Sequence, residues 1–132
     1  MAEFKLEIVA PEGGVLNENV EFAVLPAIDG EVGILANHSL LISALKLGII
    51  RYTQDGKVHK VATSGGFVEV AENRVVVLAD TAERGDMIDL ERATAAKERA
   101  ARRLNEKSTD LDMRRAELAL QKALNRIRAA EK

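Results

Sequence analysis

Phe4, Leu6 and Ile8 alternate with Lys5 and Glu7, the period of a strand with one buried face. Val20, Phe22 and Val24 repeat that period. Residues 49–53 and 57–63 flank Gln54-Asp55-Gly56, and an Asp-Gly step between apolar runs is a strong hairpin signal. Residues 67–70 and 74–79 flank Ala71-Glu72-Asn73, which predicts a second hairpin. Short strands at such close spacing predict an antiparallel sandwich or a flattened barrel. Beyond residue 88 the period lengthens. Leu90, Ala93, Ala100, Ala101 and Leu104 form a helical stripe interrupted by Lys97, with Asp89 placed to cap it and Glu91 in its first turn. The polar run at 105–110 breaks the pattern. Met113, Ala116, Leu120, Ala123, Leu124, Ile127 and Ala130 then line a second helix of about 20 residues, roughly 30 Å long. A short connection predicts an antiparallel helical hairpin.

Composition sharpens the division. All nine glycines lie at or before Gly85, and both prolines and all four aromatic residues lie before residue 68. From Asp89 onward there is neither Gly nor Pro, and 10 residues are Ala. The expected organisation is a β-sandwich docking domain at 1–85 and a helical hairpin at 86–132. About 85 residues suffice for a small core. With no cysteine, disulfides, thiolate metal sites and cysteine nucleophiles are excluded, and His38 and His59 alone make a histidine metal site an unpromising expectation. The start of the chain does not read as a signal peptide. The most apolar stretch, residues 40–50, contains Lys46 and is far shorter than the roughly 20 residues of a membrane helix. The expectation is a cytoplasmic protein that meets a membrane, if at all, through a partner.

The net charge of −2 is an average over unlike parts. Residues 1–88 carry 7 Lys/Arg against 13 Asp/Glu, a net of −6, whereas residues 89–132 carry 12 against 8, a net of +4. A turn near 108–110 places Arg92 level with Arg126 and Arg99 level with Lys122, so that four cations line a patch roughly 10 Å across. Such a cluster repels itself unless an anion or acidic partner neutralises it; the alternative is a solvated basic face. The apolar stripes are mostly Ala, whose burial contributes little at about 25 cal/mol per Å2. The helices are therefore expected either to pack as an ordinary hairpin or to form a two-state element that a ligand sets.

Phosphate-loop and dinucleotide fingerprints are absent. Ser64-Gly65-Gly66 reads as a bulge or turn rather than an anion nest. His38, Ser39 and Ser64 have no spacing that argues for a triad, and Asp86 and Asp89 read as caps rather than as a general acid and base. No catalytic constellation emerges, and any phosphate ligand would be held by Arg and Lys side chains. The acidic sandwich argues against a nucleic-acid partner.

Gly30-Glu31-Val32-Gly33-Ile34-Leu35-Ala36-Asn37-His38, Ser64-Gly65-Gly66-Phe67-Val68-Glu69-Val70 and the sandwich-then-hairpin layout resemble the epsilon subunit of bacterial F-type ATP synthase. The resemblance covers essentially the whole chain. It implies a ten-stranded β-sandwich followed by a helical hairpin, and a non-catalytic central-stalk subunit on the cytoplasmic face of the bacterial cell membrane, peripheral and without insertion. Implied partners are the gamma subunit, the c-ring and the alpha/beta catalytic head, with the loop holding Glu31 and His38 facing the ring. The helices, when extended, would inhibit ATP hydrolysis, and when folded down would release it. Some bacterial members bind ATP in the folded hairpin through an Ile/Leu-Asp-x-x-Arg-Ala motif, matched here by Ile88, Asp89, Arg92 and Ala93, with further contacts carried over to Glu83, Arg99 and Arg126. Position 122 departs: Lys122 stands where ATP-binding relatives have Arg, keeping the charge but losing the planar fork. The resemblance implies ATP as a regulatory ligand, with or without magnesium, and no catalytic cofactor. The alternative is an adaptor whose basic hairpin binds acidic partners without nucleotide.

Overall fold

Alternation in the first segment is realised as β1, Phe4–Ala10, which buries Phe4, Leu6, Ile8 and Ala10 on one face. The computed structural model describes residues 2–106 and 109–131. After β1 come β2 (Gly13–Val20), β3 (Phe22–Ala27), β4 (Gly30–Leu35), β5 (Leu41–Leu45), β6 (Gly48–Gln54), β7 (Lys57–Thr63), β8 (Gly66–Ala71), β9 (Arg74–Ala79) and β10 (Ala82–Arg84). A 3-10 turn, Gly85–Met87, leads to α1 (Leu90–Leu104) and α2 (Asp110–Ala130). The ten strands run in the order β10-β7-β6-β3-β5-β8-β9-β1-β2, with β4 paired to β3. Every pairing is antiparallel except β1 with β9. β3 pairs with β6 through residues 22–24 and with β5 only at Ala27, so the sheet folds over there into two layers. Leu6, Ile8, Val20, Leu25, Ile34, Ile50, Val61, Val68, Val75 and Val77 fill the space between them. The expected ten-stranded sandwich and helical hairpin are both present.

Turn chemistry follows the sequence closely. Asp55 and Gly56 both have positive φ (51° and 76°), as a type I′ hairpin turn requires. The second hairpin is tighter than Ala71-Glu72-Asn73 suggests. Ala71 completes β8, and Glu72 and Asn73 (φ 51° and 59°) make the turn alone. One alternation is broken: Val20 closes β2, Glu21 lies between strands, and β3 restarts in the opposite phase. Ala23 and Leu25 are therefore fully buried, while Phe22 is 38% exposed. A one-residue break in a period of two moves every later side chain to the other face.

Ser64 and Gly65 connect β7 to β8, as expected of a turn, and Gly66 opens β8. Gly66 has φ 144°, and a Cβ built there would lie 2.1 Å from the Leu78 carbonyl oxygen across the ladder.

α2 is 21 residues long and packs on α1, β6, β7 and the 3-10 turn. α1 has no comparable contact with any strand and rests on α2. The turn expected near residues 108–110 lies partly outside the described residues. The buried face differs from the predicted stripe: Leu90 is 51% exposed, whereas Asn125 and Ala129 are buried alongside Ala116 and Ala123. α2 is thus covered on two sides, by α1 and by the sandwich, and a single stripe does not describe it.

Gly66→Ala should destabilise the chain more than Gly13→Ala, since Gly13 (φ 131°) has open space where the Cβ would go. The second substitution carries only backbone strain, about 1–3 kcal/mol, and the first adds the collision with Leu78. Urea unfolding midpoints of the two variants measure this ordering.

Candidate functional site

Asp89 sits in extended conformation before α1 and caps it, its Oδ1 accepting from the Arg92 N–H at 3.2 Å. The cap satisfies one of the amides that a helix start leaves open. Ala93, one turn on, is 0% exposed and faces neighbouring elements rather than solvent. Ile88 is half-buried between the 3-10 turn and the cap. Arg92 and Arg99 project from the exposed side of α1 and make no ion pair among the described residues.

α2 contributes the other cations. Arg126 reaches β10, where its Nη2 donates to Glu83 Oε2 at 3.1 Å and its Nε lies 2.7 Å from Glu83 Oε1. The Nε–H points off that oxygen, so the pair is held through Nη2 and the buried Nε lacks a directed acceptor. With 29% and 44% of the two side chains exposed, this ion pair stabilises by about 1 kcal/mol at most. Glu83, Lys122 and Arg126 border a small cavity of about 80 Å3 beside Ser64, Thr81 and Asn125. That volume is below the roughly 300 Å3 of an ordinary ligand pocket.

Leu104 closes α1 and Asp110 opens α2. Counted back from those ends at equal rise, Arg92 falls opposite the stretch that holds Lys122 and Arg126. Arg99 lies about 10 Å nearer the tip than Arg92, at ~1.5 Å rise per residue. Along the hairpin the cations run in a strip from Glu83 at the sandwich toward the tip. The donor set suits an extended polyanion. Among the described residues no three His, Asp or Glu side chains gather to hold a metal ion.

Glu31 and His38 do not share a loop. Glu31 is in β4, ion-paired to Arg51 at 2.8 Å, and His38 follows the far end of that strand. His38 Nδ1 lies 2.7 Å from the Ser39 carbonyl oxygen, and the Asn37 N–H donates to Asn73 Oδ1 at 2.8 Å, which ties this loop to the β8–β9 turn. Leu35, Leu40 and Ile42 around it are 63%, 71% and 70% exposed.

A larger cleft, about 440 Å3, opens where the last turn of α2 meets Tyr52, His59, Lys60 and Arg84. None of the predicted site residues lines it. Tyr52 and His59 are opposite one another on β6 and β7 and stack with ring centroids 5.0 Å apart. Burial pushes the Tyr52 phenol above its usual range, with Arg84 opposing and Asp86 and Glu18 reinforcing. The residue that sequence reasoning passed over is Asn125, 5% exposed. Its signal was available: an amide side chain directly after Ala123 and Leu124 and one helical turn before Ala129.

A model of the ATP synthase Delta/Epsilon chain beta-sandwich domain matches residues 3–85, and a model of the long alpha-helix domain of the same chain matches residues 86–131. An ATP synthase epsilon chain from Desulfitobacterium hafniense is 60% identical over 127 residues, covering 96% of each chain. One from Bacillus velezensis is 46% identical over 130 residues, covering 98% of each. Among solved structures, a chain of the Euglena gracilis mitochondrial ATP synthase (OSCP/F1/c-ring, rotational state 1) superposes with a TM-score of 0.82 at 25% identity, covering 99% of this chain and 83% of that one. A chain of the Tetrahymena thermophila mitochondrial enzyme shares the fold, with a TM-score of 0.62 at 12% identity. Among the described residues no helix is long and apolar enough to cross a membrane.

The two possible duties of Asp89 separate by substitution. Asp89→Ala should destabilise α1 by about 1 kcal/mol, whereas Asp89→Ser, which keeps a capping oxygen, should cost a few tenths at most. Amide exchange in the first turn of α1 measures this. Equal losses in the two variants would show that the cap is not what Asp89 provides.

Proposed function

Because this chain belongs to the ATP synthase Delta/Epsilon family, as an epsilon chain of the bacterial F-type enzyme, we propose that its hairpin is a movable brake on ATP hydrolysis and that ATP favours the folded, released form. The chain is a non-catalytic subunit of the central stalk. The proposed partners are the gamma subunit and the c-ring, reached through the sandwich with Glu31 and His38 on the ring side, and the alpha/beta catalytic head, reached by the extended helices. The proposed place is the cytoplasmic face of the cell membrane, peripheral, within the proton-translocating complex.

What carries this reading is the burial in the hairpin. Of the side chains α1 and α2 bury, all are alanine except Asn125. A buried methyl contributes on the order of 1 kcal/mol, against about 1.5–3 for a buried Leu or Ile. The helices keep their own conformation through Ala, Leu, Arg and Glu, all strong helix formers, so little holds the pair in one place. A ligand bridging the two helices and β10 would add RT ln(1 + [L]/Kd) to the folded form, about 2.7 kcal/mol at 100 times Kd. Arg92 and Arg99 on α1, Lys122 and Arg126 on α2, and Glu83 on β10 are disposed to make that bridge, with Ile88, Asp89 and Ala93 at its joint.

The second reading, an adaptor that uses the basic strip for acidic protein surfaces alone, is favoured by the small cavity and by the capping duty that accounts for Asp89. Calorimetric titration of the isolated chain with ATP, with and without magnesium, decides between them. The sensor reading expects binding heat and a rise in melting temperature, both lost in Arg92→Ala. Lys122→Arg should tighten binding several-fold by restoring the planar fork. No heat and no melting shift at millimolar ATP would leave the adaptor reading and retire the sensor.

A further inference from the structure

Among the described residues Asn125 is the one polar side chain that the hairpin buries, and its hydrogen bonds run to the sandwich rather than to the cations. Its Nδ2 donates to the Gly48 carbonyl oxygen at 2.7 Å and also approaches the Thr63 carbonyl oxygen, at 3.4 Å. Gly48 and Thr63 are register partners where the β6–β7 ladder ends. One amide group thus spans the ends of two adjacent strands. Both acceptors are carbonyl oxygens, which only the nitrogen end of the amide can serve, so the side chain's orientation is fixed by its surroundings. A buried amide without such partners is costly, so leaving this seat carries a penalty unless water or another acceptor replaces the two carbonyl oxygens.

One turn further along α2, Gly85 lets the helix come down onto the sandwich. A Cβ at Gly85 would lie 2.2 Å from the Ala129 carbonyl oxygen and 3.1 Å from the Lys60 carbonyl oxygen. Beyond that, Lys60 Nζ donates to the Glu131 carbonyl oxygen at 3.3 Å, at the negative end of the helix. These contacts bring α2 to backbone atoms of β6 and β7 and require a missing side chain at 85. They do not involve Arg92, Arg99 or Lys122.

We propose that Asn125, seated over the ends of β6 and β7 and admitted by Gly85, is a latch that holds the hairpin folded without nucleotide. The proposal rests on the reading that the hairpin moves. It deepens that reading: the folded form is the resting form of the free chain, and a nucleotide adds to a latch already closed.

Because the chain has no cysteine, two can be introduced at the exposed positions Lys57 and Gln121 and spin-labelled to read the sandwich-to-hairpin distance in the full chain. Without nucleotide, the otherwise wild-type chain should give one short-distance population. Asn125→Asp nearly preserves shape but replaces the donor with an acceptor facing two carbonyl oxygens, and should lower the folded-to-released ratio at least tenfold. Asn125→Ala, which adds no charge, and Gly85→Ala, whose φ needs no glycine, should shift it the same way while the sandwich melt is kept. In the wild-type chain, amide exchange in α2 should be slowest between residues 123 and 129. Unchanged distances in Asn125→Asp and Gly85→Ala, a wild-type chain already released without nucleotide, or protection greatest at the hairpin tip would each overturn the latch. Absent ATP heat with variant-dependent distances would retire the sensor and keep the latch. Intact ATP heat with unchanged distances would do the reverse.

Discussion

The hairpin buries alanine where a stable two-helix unit would bury leucine, and the behaviour of the whole chain depends on that. Leu120, Leu124 and Ile127 are only half-buried, and Leu90, Leu111 and Leu118 stand 47% or more exposed. The sandwich is built the other way, with Leu6, Ile8, Leu25, Ile50, Val61 and Val75 all at 0% exposure. One part has a core that fixes its shape, and the other has helical propensity with little to fix its place. A change in what α2 rests on therefore need not disturb the strands. α1 contacts α2 and no strand comparably, so it is carried wherever α2 goes.

Charge divides along the same line. The sandwich side is net −6 and the hairpin side net +4, and the ion pair between them in the described residues is Glu83 with Arg126. Arg51 with Glu31 and Arg84 with Asp86 are pairs made before α1 begins. The cations of α1 are consequently left to solvent in the folded form. Self-repulsion along the strip is relieved by any polyanion, whether phosphate or acidic protein surface, since the attraction itself is not selective. Selectivity has to come from geometry. The geometry that matters is the axial stagger set by the helix ends at Leu104 and Asp110.

Much of this was legible in the residues. The hairpin turns at Asp55-Gly56 and Glu72-Asn73, the cap at Asp89 and the change of architecture after the last glycine each follow from local chemistry, and local chemistry is what a sequence states directly. The misplaced features share a different cause. Phe22 faces outward because a single residue, Glu21, separates two strands and reverses the phase, and nothing in the alternation of Val20, Phe22 and Val24 announces the break. Glu31 and His38 were put on one loop by the resemblance rather than by their own residues, and Glu31 belongs to β4, whose remaining residues separate it from His38. How Arg92 and Arg99 stand against Lys122 and Arg126 depends on where a polar run stops being helix, which propensity resolves only to within a turn. Asn125 was passed over because its acceptors are carbonyl oxygens 77 and 62 residues away, and backbone atoms have no letter in a sequence.

That last point bears on how control is distributed in the molecule. Contacts from Asn125 and across Gly85 address backbone, which every folded sandwich presents alike, so they cannot report on ligand or partner. Contacts from Arg92, Arg99, Lys122 and Arg126 address charge, which only a ligand, a partner or Glu83 supplies. A hairpin held solely by the first set would stay folded regardless of conditions. One held solely by the second would follow whichever anion was nearest. Arg126 belongs to the next position along α2 from Asn125, so the two sets meet within one residue of each other on the same helix. Motion that unseats the amide also draws the guanidinium from Glu83, and an anion that competes for Arg126 acts beside the seat. The fold couples the two by adjacency alone, without requiring any change in the sandwich.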